Sequence, residues 1–133
     1  MSSLVLVVDD DADNRAVASA ALRAAGFRVA LAEDGAAGLA LARVEVPALV
    51  LMDMGMPVLD GWEATRLLKA DPVLKAVPVL AFTAFALAGD SEKARAAGCD
   101  GVLSKPCAPA NLVGEVRRLI AEGGPHGDAD IRS

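Results

Sequence analysis

Basic charge, aromatic rings, cysteine and long apolar runs are all scarce in this chain, and each scarcity closes off a class of function. Lysine and arginine number 13 against 18 acids, a formal net charge of −5. Phosphate-backbone binding needs clustered cations, and neither a basic patch nor a basic helical stripe is present, which argues against nucleic acid as a partner. No apolar run approaches the roughly 20 residues of a membrane span. Met1 to Val8 has neither the cationic start nor the long apolar core of a signal peptide, so a cytoplasmic protein without a membrane partner is expected. Two cysteines, Cys99 and Cys107, are too few for a zinc site and read as reduced, small packing residues. The single histidine, His126, lies in EGGPHGDADIRS, whose glycines and aspartates read as a floppy tail rather than a phosphohistidine site. Aromatics make up 3% of the chain while apolar residues reach 54%, much of it alanine. At 133 residues this composition predicts one globular domain with an aliphatic core, and it does not read as disordered.

What is present is an alternation. Strand-like runs LVLVV (4–8), RVALA (28–32), ALVLM (48–52), VPVLAF (77–82) and GVLS (101–104) alternate with segments of helical length. Several of the runs are apolar throughout, as suits strands covered on both faces. The first helix is expected over about Ala12 to Ala25, stopping at Gly26, and the second over about Gly35 to Val44, before Pro47. In DGWEATRLLKADP, Asp60 and Glu63 suit a capping box, Ala64, Leu67 and Leu68 suggest an apolar stripe, and Pro72 ends the segment. A short fourth helix runs from about Asp90 to Ala97. A fifth begins near Pro109 and carries Leu112, Val113, Val116, Leu119 and Ile120 at helical spacing. Five strand–helix repeats with short connections predict an α/β fold, a single parallel sheet with helices on both faces. No internal repeat or second domain is apparent. The boundaries expected are a domain over residues 1–121 and a flexible tail over 122–133.

In such folds functional groups gather just beyond the C-terminal ends of the strands. The first strand ends by running into Asp9, Asp10 and Asp11. Like charges that close push each other toward protonation unless a cation sits among them. The third strand ends in Met52 and then Asp53, the fourth in Ala81-Phe82-Thr83, the fifth in Ser104-Lys105-Pro106. Carboxylate oxygens without nearby His or Cys suit a hard divalent cation, with Mg²⁺ the usual choice when a phosphate completes the shell. A lysine suits a phosphoryl oxygen as a point charge, a threonine hydroxyl can donate to another, and an aspartate beside a metal can attack phosphorus. The residues therefore read as a Mg²⁺-assisted phosphoryl-transfer site with a carboxylate acceptor.

The set VVDDD, LMDMGMPVLDGWE, FTAFA and LSKP, in this order and spacing, resembles the response-regulator receiver domain, the CheY-like family, over about Leu4 to Ala121. The resemblance implies a flavodoxin-like (βα)5 doubly wound five-stranded sheet in the order 2-1-3-4-5. By position it implies Asp53 as phosphoacceptor, Asp10 as a direct Mg²⁺ ligand, Asp9 as an acidic-pocket residue acting partly through water, and the Gly55 carbonyl as a further ligand. Thr83 would bond the phosphoryl group and move on activation, Lys105 would pair with a phosphoryl oxygen, and the Lys105–Pro106 bond is often cis in the family. The implied activity is stoichiometric acceptance of a phosphoryl group from a sensor histidine kinase or histidine phosphotransfer protein, followed by slow self-dephosphorylation. With no output module expected in the chain, the phosphorylated face around the fourth helix, fifth strand and fifth helix would be read by a separate downstream target protein. TAFALAGDSEKARAAGCDGVLSKP further resembles receivers of single-domain cell-cycle regulators and hybrid kinases.

One position departs from the pattern. Receivers commonly carry Tyr or Phe three residues before the lysine, where this chain has Val102, so a rotating aromatic there is not the signal. Phe85, two residues after Thr83, is taken as the nearest aromatic, affecting water access without a switch role. Asp11 and Asp13 read as a solvated helix cap rather than as ligands, and Trp62 as a packing residue at a helix start. Two rival readings stay open. A phosphorylation-independent interaction module would keep the fold without cycling, and Val102 leaves it alive. An aspartyl-phosphate phosphohydrolase would use a nucleophile and acid/base two residues apart, which Asp9 and Asp11 mimic, although no cap segment is present to enclose a substrate.

Overall fold

The computed structural model describes residues 3–54, 61–83, 90–105 and 108–123. Asp60, Phe85, Cys107, His126, Gly55 and Pro106 lie outside them. The described chain alternates β1 (Leu4–Val8), α1 (Ala12–Ala24), β2 (Arg28–Ala32), α2 (Gly35–Val44), β3 (Leu49–Asp53), α3 (Gly61–Ala70), β4 (Val79–Thr83), α4 (Asp90–Ala97), β5 (Gly101–Ser104) and α5 (Pro109–Gly123). All strand pairs are parallel, and the order is β2-β1-β3-β4-β5. No helix among the described residues is long and apolar enough to cross a membrane.

Every residue of β1 and β3 is buried, which explains their unbroken aliphatic sequence, whereas the edge strands β2 and β5 carry exposed positions. Alternation along each strand divides the core in two. Leu6, Val8, Val50, Met52, Val79 and Ala81 face one side, where Leu39 and Ala42 of α2 and Ala64 and Leu68 of α3 cover them. Val5, Val7, Leu49, Leu51 and Leu80 face the other, under Ala18 and Leu22 of α1 and Leu112, Val116 and Leu119 of α5. Each fully buried leucine or valine contributes about 2 kcal/mol by leaving water, so these two layers dominate the stability.

Local signals set the helix ends. Asp11 caps α1, its carboxylate accepting from the amides of Asp13 at 2.8 Å and Asn14 at 3.2 Å. Asp34 caps α2 through the Ala37 amide at 2.7 Å. Gly26 follows α1 with φ of 100°, the left-handed conformation that lets the chain leave a helix sharply. Three expectations shift. The fourth strand begins at Val79, not Val77: the Val77 amide closes a turn onto Leu74, Pro78 has no N–H, and the Val79 amide goes to Asp100 at 2.8 Å. In α3, Leu67 is exposed, and the buried stripe is Gly61, Ala64, Thr65 and Leu68, the i, i+3, i+4, i+7 series. The third strand starts and ends one residue later than expected, because Asp53 still pairs with Phe82 of β4.

Lys69, at the end of α3, donates to the carbonyls of Lys75 and Val77 and to the Asp100 carboxylate at 2.9 Å. Asp100 in turn accepts the Val79 amide. This cluster fixes the N-terminal ends of β4 and β5, and with them the register that carries Thr83 and Lys105 to the opposite rim.

Candidate phosphoryl-acceptor site

The two-residue period of the strands decides which groups can meet. In β1 the odd positions face the α1/α5 side, and Asp9 continues that series, its amide still bonded to the Ala32 carbonyl at 3.1 Å. In β3, Leu49 and Leu51 face the same side, so Asp53 does too. In β5 the series is Leu103 and then Lys105. Three residues from three strands therefore share one face at one rim of the sheet, joined from the β1–α1 junction by Asp10.

Carboxylate oxygens of Asp9, Asp10 and Asp53 lie within 4.8 Å of one another. Asp9 and Asp53 are buried, 3% and 6% exposed, while Asp10 is open to solvent. Lys105 Nζ stands 3.1 Å from Asp53 Oδ1 and 3.5 Å from Asp9 Oδ2. Burial pushes the Asp9 carboxyl above its usual range. The hydrogen bond from the Asp11 amide opposes this, the Asp53 charge adds to it, and Lys105 pulls the other way. For Lys105 burial depresses the ammonium, but hydrogen bonding and attraction by Asp53, with Asp9 adding to both, outweigh it, and the net direction is up. The lysine is thus charged and held between two acids.

Three carboxylates and one ammonium leave the cluster two positive charges short of neutrality. A hard divalent cation fits that deficit and the all-oxygen donor set, and the exposed Asp10 gives it a side of entry. Thr83 ends β4 beside Asp53's strand, is buried, and its carbonyl accepts the Lys105 amide at 2.8 Å. The structure thus brings together Asp9, Asp10, Asp53 and Lys105, with Thr83 tied to the lysine through the backbone. Asp11 is engaged as the α1 cap, as its position suggested. Asp13 lies exposed in the first turn of α1. Val102 is half-buried and packs against the core cluster covered by α2 and α3. Trp62 is a packing residue at the start of α3, as its position suggested, and Lys93 Nζ lies 4.9 Å from its ring centre.

Two residues escaped sequence reasoning. Arg15 reaches back from α1 to donate to the Asp9 carbonyl at 2.7 Å, and no spacing pattern announces that contact. Phe82 is the second. Its ring centre lies 5.3 Å from Lys105 Nζ, and strand parity was the signal that could have found it, since Phe82 shares its face with Asp53.

Comparison with known proteins gives a consistent picture. A family model described as the response regulator receiver domain matches residues 5–117. Among curated proteins, the chain is 34% identical over 122 residues to the polar-differentiation response regulator DivK of Brucella ovis, covering 92% of this chain and 99% of that protein. Among solved structures, it is similar to the receiver domain of the sensor histidine kinase PA1611 from Pseudomonas aeruginosa, which was solved with a magnesium ion coordinated in the active-site cleft. That match has a TM-score of 0.85 and 38% identity, and covers 91% of this chain and 99% of that one. The chemotaxis response regulator CheY4 of Vibrio cholerae matches with a TM-score of 0.85 and 30% identity, covering 90% and 99% respectively.

Proposed function

Because the chain belongs to the response-regulator receiver family, we propose that it is a receiver that accepts one phosphoryl group on Asp53 and signals by phosphorylation-dependent protein binding. The observation that carries this reading is the grouping of three carboxylates around a lysine that bonds the acceptor itself. Asp10 would hold Mg²⁺ directly, with Asp53 and the Gly55 carbonyl as further ligands and Asp9 acting partly through water. Bound there, the cation would neutralise charge on the transferring phosphoryl group.

The remaining chemistry belongs to the chain. An Asp53 oxygen forms a bond to phosphorus as the P–N bond of a donor phosphohistidine breaks, and the departing imidazole keeps the electron pair. Lys105, already 3.1 Å from Asp53, pairs with a phosphoryl oxygen and holds it in line. The Thr83 hydroxyl bonds another. Because the Thr83 carbonyl is tied to the Lys105 amide, movement at Thr83 is transmitted to the end of β5. That movement shifts the population of conformations on the face around α4, β5 and α5, where a separate target protein binds. The donor is a sensor histidine kinase or a histidine phosphotransfer protein, and the setting is the cytoplasm. The chain works as a stoichiometric acceptor rather than a turnover enzyme.

Beryllofluoride, a non-covalent mimic of the phosphoryl group, tests the site. With Mg²⁺, bound beryllofluoride is expected as new ¹⁹F signals at one equivalent, absent with a chelator and absent in Asp53→Asn. Failure of the unsubstituted chain to bind in the presence of Mg²⁺ would favour a phosphorylation-independent interaction module, the reading that Val102 also allows.

A further inference from the structure

Lys105 and the residue it serves are not neighbours in the sheet. Asp53 ends β3 and Lys105 follows β5, with β4 between them. Adjacent strands lie about 4.8 Å apart, so the lysine stem has to cross β4 to bring its ammonium to the acid. The register defines what it crosses. Asp53 is paired with Phe82, and Phe82 with Leu103, in one row across the sheet. Lys105 is two residues beyond Leu103 and so on the same face. Phe82 is half-buried, packed below against the core under α1 and α5, and its ring centre lies 5.3 Å from Lys105 Nζ. An ammonium within about 6 Å of an aromatic face is attracted by the ring quadrupole, and the flat ring also supports the methylene stem.

We propose that Phe82 is a positioning residue for Lys105: its ring is the platform that holds the ammonium over β4 and aims it at Asp53. The inference rests on the phosphoacceptor reading for its consequence, but not for its geometry. An aliphatic side chain at position 82 would fill the same space without the attraction, leaving the lysine held by its ion pairs with Asp53 and Asp9 alone and its stem less confined. The role is exerted through Lys105, whose ammonium is the group that the ring faces.

NMR of the full chain reads Lys105 directly, with its signals assigned by their loss in Lys105→Arg. In the unsubstituted chain the Lys105 ε-methylene protons are expected upfield of the free-lysine position, shifted by the ring current. The ammonium ¹⁵N–¹H signal is expected to be visible because pairing with Asp53 slows exchange with water. Phe82→Leu loses both signatures, Phe82→Tyr restores both, and Phe82→Met serves in place of the leucine variant if that chain does not fold. Beryllofluoride affinity with Mg²⁺ falls about two- to fivefold in Phe82→Leu and recovers in Phe82→Tyr, the size of an exposed cation–π contact. Lys105 ε protons at the free-lysine position in the unsubstituted chain would overturn the proposal. So would an ammonium signal and affinity unchanged by Phe82→Leu. Should the unsubstituted chain take up no beryllofluoride, the phosphoacceptor reading fails by itself, and the two Lys105 signatures still decide the role of Phe82.

Discussion

Asp9 is fixed on every side: its amide is bonded to Ala32, its carbonyl to Arg15, one carboxylate oxygen to the Asp11 amide and the other to Lys105. Asp10, one residue on, is exposed. In the proposed ion site the pair would divide the work, one acid preorganised and the other open to an arriving cation. Elsewhere single residues carry costs that can be measured. Ser19 is buried in α1, and its hydroxyl has no hydrogen-bond partner among the described residues. Ser19→Ala is expected to stabilise the fold by about 1 kcal/mol in chemical denaturation, because it removes an unsatisfied polar atom. Burial pushes the Cys99 thiol up to about 11, against the opposing hydrogen bond with Thr65. Folding therefore favours the neutral thiol. As pH rises from the ordinary value of 9.0 toward about 11 the unfolded chain ionises first, and stability falls across that window. In a Cys107→Ser background, a disulfide reagent at pH 8 should modify the native chain far more slowly than the unfolded one. Equal rates would show the thiol to be exposed.

At the scale of elements, packing sets where Asp53, the proposed acceptor, sits. A Cβ on Gly61 would lie 2.4 Å from the Asp53 carbonyl oxygen and 2.8 Å from Met54 Cα, so α3 begins against the backbone of Asp53 itself. Gly61→Ala is expected to cost about 1–3 kcal/mol and to weaken beryllofluoride binding by displacing Asp53. Gly114, in α5, is the contrasting case, with nothing within 4 Å of its added Cβ. Gly114→Ala should gain about 0.5–1 kcal/mol through helix propensity and leave the site as it is. Comparing the melting curves of the two variants checks both. Elements were readable from the sequence where local chemistry decides them: β1, β2 and β5 fall where their aliphatic runs do, and α1 and α2 begin at acids that cap them. The misreadings came from one long-range pairing and one local turn. Asp53 belongs to β3 because it pairs with Phe82, and Val77 drops out of β4 because its amide turns back to Leu74. Neither partner is visible from the run itself. Lys69 and Asp100, 31 residues apart, gave no signal at all.

For the molecule as a whole, order and parity together make the site. The central position of β3, between β1 and β4, places Asp53 beside the acids of the first strand, and an odd-even match across β1, β3, β4 and β5 turns Asp9, Asp53, Phe82 and Lys105 to one face. The convergence of Asp9, Asp10, Asp53 and Lys105 was legible in the sequence because strand ends in a parallel sheet meet at one rim and these residue types share one chemistry. Phe82 and Arg15 could not be named as easily, since an aromatic in a strand and an arginine in a helix look like ordinary core and surface residues. The account as a whole stands on Asp53 being the acceptor. Intact-protein mass spectrometry after incubation with acetyl phosphate and Mg²⁺ tests this most directly. It should show a single added phosphoryl group, lost with a chelator and lost in Asp53→Asn. An adduct that persists undiminished in Asp53→Asn would contradict the account, because the phosphoryl group would then reside on another residue.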